Sequence, residues 1–193
     1  LASIKIEDEE KEELVRHLQK ATGLRVEVIA ESALKPEMEN RVFIGDSESV
    51  RAAGVVTSTL SAEAFVLRTR DKTLIIAGDD GRGDPLDSDT RAGTLWGVYE
   101  WLDRTLGVRW LWPGERGTYV PKTKTVIARD VNETIPPRFI QRRLRPGMGF
   151  ESENPALGFT QKAFEQCKQE QTVFLRRHRM GRSQPMGYGH AFT

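Results

Sequence analysis

The segment from residue 64 to residue 77 constrains the fold most, because it has the composition of two β-strands joined by a minimal turn. Ala64 to Arg70 and Thr73 to Ala77 are rich in β-branched and apolar side chains, and only Asp71 and Lys72 separate them. A two-residue polar connection between two such runs is typical of an antiparallel hairpin. We therefore expect a β-sheet in this chain.

Two other segments have apolar residues spaced one helical turn apart. From Asp8 to Ala21 these residues form a single stripe, acids occupy the start, where the helix dipole favours negative charge, and Gly23 follows as a left-handed cap. From Ala92 to Leu106 the apolar face is broader, and Gly107 ends it. We predict a surface helix for the first segment and a central, buried helix for the second.

Shorter segments complete the expected fold. Residues 78–91 are rich in Gly, Asp, Arg and Pro, which predicts a loop before the second helix. Alternating or apolar residues predict further strands at 25–30, 41–44, 108–112, 119–120 and 125–128. The expected fold class is α/β (α+β), a mixed β-sheet with two packed helices.

The formal net charge of +1 over 193 residues conceals two unlike parts. Up to Pro137 the chain contains 19 Lys and Arg against 24 Asp and Glu, a net of −5; beyond it the numbers are 10 and 4, a net of +6. This change in composition favours a boundary. We expect an α/β domain at 1–130, a linker at 131–137 and a distinct segment at 138–193.

The C-terminal segment has the pattern that begins a βαβ unit. A strand is predicted at 138–144, a helix at 159–179 and the approach to another strand at 187–192. Such a unit needs further parallel strands to cover it, and we expect the sequence to end before they are supplied.

Composition excludes several classes of protein. A net charge near zero gives no field that would favour nucleic acid or an anionic membrane surface as a partner. No apolar run has the length of a signal peptide or a membrane span. Cys167 is the single cysteine, so an internal disulfide cannot form, and no Cys and His spacing suits zinc. Phosphate-binding glycine motifs are also missing, and no cofactor is predicted.

The densest group of carboxylates lies between Asp79 and Asp89, and calcium prefers such oxygen ligands. However, residues 79–90 lack the glycine and the glutamate that an EF-hand loop has at its sixth and twelfth positions. We therefore predict a solvated acidic loop and no metal site.

The chain has three histidines and no G-x-S-x-G motif that would present a nucleophilic serine. We expect His17 to be solvated on a polar helix face and His178 to lie at a helix end. His190 is a candidate site residue, because Gly187 and Gly189 leave its imidazole accessible near a strand end. The alternative for His190 is an ordinary loop histidine.

Arginines and tryptophans each allow two interpretations. Indole rings can stack on sugars, but the four tryptophans have the spacing of core residues, and we expect most of them to pack in the core.

Arg142 and Arg143 point to opposite faces of the predicted strand, so the arginines around them form no continuous basic stripe. An inward arginine there needs a carboxylate or a ligand as a partner, which makes it a candidate site residue.

The residues around the second helix resemble a known arrangement. IIAG at 75–78, GTLWGVYEWL at 93–102 and LGVRWLWPG at 106–114 are similar to the noncatalytic α/β domain that precedes the barrel in α-glucuronidases and β-hexosaminidases. The likeness is strongest to the version before an uncharacterised barrel family, and it covers residues 1–130. It implies the start of a (β/α)₈ barrel, truncated after one to two βα units, at 138–193.

The string PRFIQR at 137–142 resembles the opening of the first barrel strand in hexosaminidases. The resemblance implies that Arg142 binds sugar hydroxyls in the parent enzyme, although Arg143 stands where the family has glycine. The run from Arg177 to His190 resembles the helix and second strand of the same barrel, which makes His190 a second substrate-binding candidate. The carboxylates that perform the family's chemistry belong to later strands, so no catalytic residue is predicted.

The resemblance implies a noncatalytic N-terminal accessory domain of a glycoside hydrolase that acts on polysaccharide or glycoconjugate. Its partners would be its own C-terminal catalytic barrel and, through that barrel, carbohydrate. The parent would be a glycosidase, this chain by itself inactive, and the favoured location secreted or periplasmic. The alternatives are a free-standing carbohydrate-binding module and a structural or interaction domain.

Overall fold

The computed structural model describes residues 8–35, 37–142 and 160–182. Four helices are described: α1 (Glu9–Thr22), α2 (Glu48–Ala52), α3 (Gly93–Trp101) and α4 (Gln161–Arg177). The described strands are β1 (Arg41–Ile44), β2 (Phe65–Arg70), β3 (Thr73–Gly78), β4 (Arg109–Trp110), β5 (Thr118–Tyr119), β6 (Asn132–Ile135), β7 (Gln141–Arg142) and β8 (Gly181–Arg182). The central sheet has the order β1-β3-β2-β6, so the expected α/β class with a mixed sheet is confirmed.

The predicted hairpin forms the middle of this sheet. β2 and β3 pair antiparallel from Phe65 opposite Gly78 to Arg70 opposite Thr73. Asp71 and Lys72 have φ angles of 45° and 47°, the left-handed pair of a type I′ turn, whose twist matches that of the strands it joins. β1 then adds to β3 in parallel and β6 adds to β2 in antiparallel orientation.

Helix α3 packs on one face of the sheet, and α1 packs on α3. Phe65, Leu67, Leu74 and Ile76 point to this face and join the core cluster that includes most of α3. The opposite face has a smaller cluster, in which Val66, Ile75 and Ala77 pack with Val50 of α2 and Val55. Both predicted helices are confirmed, and α3 is the buried one at the centre.

A glycine brings α3 close to the sheet. A Cβ at Gly97 would lie 2.8 Å from Cγ2 of Ile76 and 3.3 Å from Cδ2 of Phe65. Only a residue without a side chain fits this contact. The helix continues as a π-helical turn over Leu102–Leu106 and stops at Gly107, whose φ of 69° is left-handed, as expected from the sequence.

Two predicted strands are wrong. Residues 25–30 and 125–128 join no described ladder. In the first segment Val26 and Val28 are half-buried while their neighbours are exposed, so the alternation reflects one packed face without strand pairing. The predicted strands at 108–112 and 119–120 are present in shorter or shifted form, as β4 and β5.

The expected linker at 131–137 contains a strand that the sequence analysis missed. β6 is an edge strand, and three of its four residues are exposed. An edge strand with a polar face has almost no hydrophobic signal, which explains the omission. Its pairing with β2 brings residues 132–135 into the N-terminal sheet.

The C-terminal segment is confirmed as helical at α4. β7 occupies part of the predicted strand at 138–144 and pairs antiparallel with β8, immediately after α4. The second predicted strand, at 187–192, lies outside the described residues. Among the helices that the structure describes, none has the length and apolarity to cross a membrane.

Candidate functional site

Arginines of the C-terminal segment are inserted into the N-terminal sheet-and-helix unit. They come from β7, from the last turn of α4 and from the residues that follow it, and their partners include carboxylates, carbonyl groups and aromatic rings of residues 13–110. The four arginines are Arg142, Arg176, Arg177 and Arg179. We call the surface that they form with these partners the arginine interface.

Arg142 is an anchor at the β7 end of this interface. Its Nη2 lies 2.7 Å from Oε2 of Glu63, a residue that is 0% exposed. Its Nε donates to the carbonyl of Arg179 at 2.8 Å, and Nη1 donates to the carbonyl of Phe139. All three guanidinium nitrogens therefore have partners within the chain.

Glu63 is itself held in place. Its φ of 62° is left-handed, and its backbone N–H donates to Oδ2 of Asp79 at 2.9 Å. The same Asp79 oxygen lies 2.8 Å from Nε of Arg91. An unusual backbone conformation, fixed by the start of the acidic loop, therefore presents the Glu63 carboxylate to Arg142.

Arg176 joins α4 to the acidic loop. It is 1% exposed and donates to the carbonyls of Pro85, Thr90 and Met180 at 2.8–2.9 Å. Burial lowers the pKa of its guanidinium from the ordinary value. The guanidinium carbons of Arg176 and Arg142 lie 5.0 and 4.8 Å from the ring centroid of Trp96, so this buried indole contacts two cations.

Arg177 forms the most buried ion pair of the interface. Its Nη2 lies 3.0 Å from Oε1 and 3.3 Å from Oε2 of Glu13, and both side chains are at most 6% exposed. Arg16 contacts the same carboxylate from α1. The next arginine, Arg179, pairs with Glu100 of α3.

The prediction that His17 is solvated is wrong, since the residue is 1% exposed. Its Nδ1 donates to the carbonyl of Glu13 at 2.7 Å, and its Nε2 accepts the indole N–H of Trp110 at 3.4 Å. The spacing of Leu14, His17 and Ala21 places all three on one helix face, so a closer count of the stripe would have found it. His178 caps the end of α4, as expected, and its Nε2 donates to the carbonyl of Trp110 at 2.9 Å.

The acidic loop is less solvated than expected. Asp80 accepts from the backbone N–H of Thr94 at 2.9 Å and from its hydroxyl at 2.5 Å, which holds the start of α3, and burial raises the pKa of Asp80. Asp84 and Asp87 bond to backbone N–H groups two residues further on, as in Asx turns. In the described ranges, no group of three or more His, Cys, Asp or Glu could hold a metal ion.

A cleft of about 510 Å³ runs along the arginine interface. Its floor contains Trp96, Tyr99 and Trp110, and its walls include Arg142 and Arg138. The carboxylates that line it pair with arginines, as Glu100 does with Arg104 and Asp103 with Arg109. Of the two predicted site residues, Arg142 therefore lies in the cleft wall, whereas His190 lies outside the described residues.

The tryptophans divide as the sequence suggested, with one exception. Trp96, Trp101 and Trp110 are 1–7% exposed and belong to the core. Trp112 and its chain neighbour Leu111 are each 72% exposed, and Tyr119 is 58% exposed. All three lie on the β4–β5 hairpin or in its connecting loop.

Comparison of the chain with protein-family models, with curated proteins and with solved structures found no match.

Proposed function

We propose that this chain is the noncatalytic N-terminal accessory domain of a glycoside hydrolase, which supports the catalytic barrel that follows it. The family in this proposal is inferred from the resemblance of residues 93–114 and 137–142 to glycoside hydrolases. The observation that carries the supporting role is the arginine interface, in which ion pairs join the C-terminal segment to the N-terminal sheet-and-helix unit. A domain whose work is to hold a neighbour needs such a surface, whereas an independent enzyme needs an accessible catalytic group.

The cleft supports a noncatalytic role. Glycoside hydrolysis by the usual mechanism requires two carboxyl groups flanking the scissile bond, one of them protonated. The acidic side chains in the cleft, Glu63, Glu100 and Asp103, are each ion-paired with an arginine. Each of these carboxylates is already bound by a guanidinium, so the described lining of the cleft offers no free pair of carboxyl groups.

In this proposal Arg142 has a structural role, whereas the resemblance implies that it binds sugar. The bonds to Glu63, Phe139 and Arg179 use three of the five N–H groups of the guanidinium and leave two. We propose that Arg142 anchors β7 to the N-terminal unit, and that a sugar in the parent enzyme would be bound by the N–H groups that these three bonds leave.

The test is to follow the natural reading frame beyond Thr193 and to express the extended protein. The proposal expects further βα units with a carboxylate pair and glycosidase activity that the 193-residue chain lacks. A frame that stops at Thr193, or turnover of aryl glycosides by the 193-residue chain that survives repurification, would contradict it. The proposed secreted or periplasmic location is tested by fractionation of cells that express the same extended protein.

A carbohydrate-binding module is the second candidate, because Trp112 and Tyr119 are both exposed on the β4–β5 hairpin and its loop. Aromatic side chains on a rigid hairpin suit the apolar face of a pyranose ring. The test is binding of the chain to a panel of insoluble polysaccharides, compared with the W112A and Y119A variants. Binding that both substitutions abolish would favour this function, whereas binding to none of the panel favours the accessory role.

A further inference from the structure

His17 joins α1 to β4 through a hydrogen-bond arrangement that requires the neutral imidazole. Since a carbonyl only accepts, the contact with the Glu13 carbonyl places a hydrogen on Nδ1. The indole N–H of Trp110 only donates, so Nε2 must be without a hydrogen. A second proton on His17 would therefore place an Nε2–H directly opposite the indole N–H of Trp110. The two donors would then face each other at a side chain that is 99% buried.

Charged groups surround this imidazole on α1 and α4. The Glu13 carboxylate is 3.7 Å from Nδ1 and attracts a proton, but it already binds Arg177 and Arg16. The two arginines oppose a further positive charge. Burial is the largest effect, and it lowers the pKa of His17 below its ordinary value despite Glu13.

The remaining elements meet at Trp110. Tyr99 of α3 contacts its ring edge-on at 5.3 Å, and burial raises the pKa of this phenol well above its ordinary value, so it carries no charge. Arg177 lies 5.8 Å from the ring centroid, and His178 donates to the Trp110 carbonyl. The carbonyl bond of His178 uses an N–H that is present in both charge forms of an imidazole, so acid leaves it intact.

We propose that His17 is an acid-sensitive switch: its protonation breaks the bond to Trp110 and weakens the attachment of the C-terminal end of α4 to α1. The imidazolium would stand beside the Arg177–Glu13 pair, where it competes with Arg177 for the carboxylate and repels the guanidinium. Because Arg177 is the buried contact between α4 and α1, weakening of its ion pair with Glu13 weakens the attachment of α4 to α1. The inference does not depend on a glycosidase context, because it concerns only contacts within this chain.

The single cysteine provides a reporter. Cys167 is exposed on α4, and a fluorophore attached there reports by its anisotropy whether the helix is docked. The full chain is titrated from pH 8 to pH 5 as wild type, as H17Q and as H178Q. Glutamine at position 17 offers an acceptor oxygen to Trp110 and does not titrate, and H178Q is the matched control that keeps His17.

We expect anisotropy to fall on acidification in the wild type and in H178Q, while far-UV circular dichroism is unchanged, and we expect H17Q to lose most of this fall. Nitrogen NMR of the unsubstituted chain should show Nε2 of His17 unprotonated at neutral pH and titrating together with the anisotropy. That measurement decides the question if H17Q does not fold. An unaltered transition in H17Q, a His17 titration at a different pH, or simultaneous loss of helical signal would overturn the proposal.

Discussion

Arg177 contacts both carboxylate oxygens of Glu13, although 164 positions separate the two residues in the chain. The pair closes the chain on itself, because α1 begins the described fold and Arg177 is the last residue of α4. Both charges are almost completely buried, so each depends on the other for compensation.

Removal of Glu13 should therefore destabilise the fold strongly. E13A leaves the Arg177 guanidinium buried without a carboxylate, which typically costs about 3–5 kcal/mol. We expect a fall of this size in the free energy of unfolding, measured by urea denaturation. E12A is the control, since Glu12 is exposed on the same helix, and equal effects of the two substitutions would contradict a special role for the pair.

Addition of one methyl group at Gly97 should also destabilise the fold. G97A places a Cβ 2.8 Å from Cγ2 of Ile76, and overpacking of this kind costs about 1–3 kcal/mol. The higher helix propensity of alanine offsets about 1 kcal/mol of it. The cost should shrink when G97A is measured in an I76A background. Equal costs in the two backgrounds would show that the contact with Ile76 is not the cause.

Glu9 should make the fold less stable as pH rises. Burial, together with the charges of Glu13 and Glu12, raises the pKa of Glu9 to about 7 from an ordinary value of 4.5. The folded state therefore binds more protons than the unfolded state between these two values, so stability falls as pH rises through this window. E9Q should stabilise the chain at pH 8 and leave it unchanged at pH 4. E37Q, at an exposed loop position, should have no such pH dependence.

Local patterns were sufficient for α1, α3, α4 and the β2–β3 hairpin, whereas the short helix α2 was not predicted. The stripe of α1, the apolar face of α3 and the polar pair Asp71–Lys72 each specify a structure within a few residues, without reference to the rest of the chain. The strand β6 could not be found in this way, because its signal lies in its pairing with β2 and only Ile135 is partly buried. The predicted barrel start and the domain division stay predictions.

The ion pairs of the arginine interface also could not be predicted from local sequence patterns. The strand pattern predicted an inward arginine that needs a carboxylate or a ligand, and the family resemblance selected Arg142, but nothing local identifies Glu63 as its partner. That pairing arises because the left-handed backbone of Glu63 and the antiparallel β7–β8 pair meet over Trp96. His17 is the converse case. Its spacing from Leu14 and Ala21 on α1 indicates a buried position, but the sequence analysis interpreted the histidine as a solvated residue.

The Arg142–Glu63 pair distinguishes an anchor from a ligand-binding arginine. R142M leaves the Glu63 carboxylate buried without its cation, so we expect a loss of about 3–5 kcal/mol in the free energy of unfolding. The double variant R142M/E63Q removes both charges and should recover a large part of this loss, since an uncharged amide is far less costly to bury. R138M is the matched control, because Arg138 lines the same cleft but is exposed, and it should change stability by no more than about 0.5 kcal/mol. An arginine kept only for sugar binding would behave differently. R142M would then leave stability unchanged, and E63Q would have nothing to rescue.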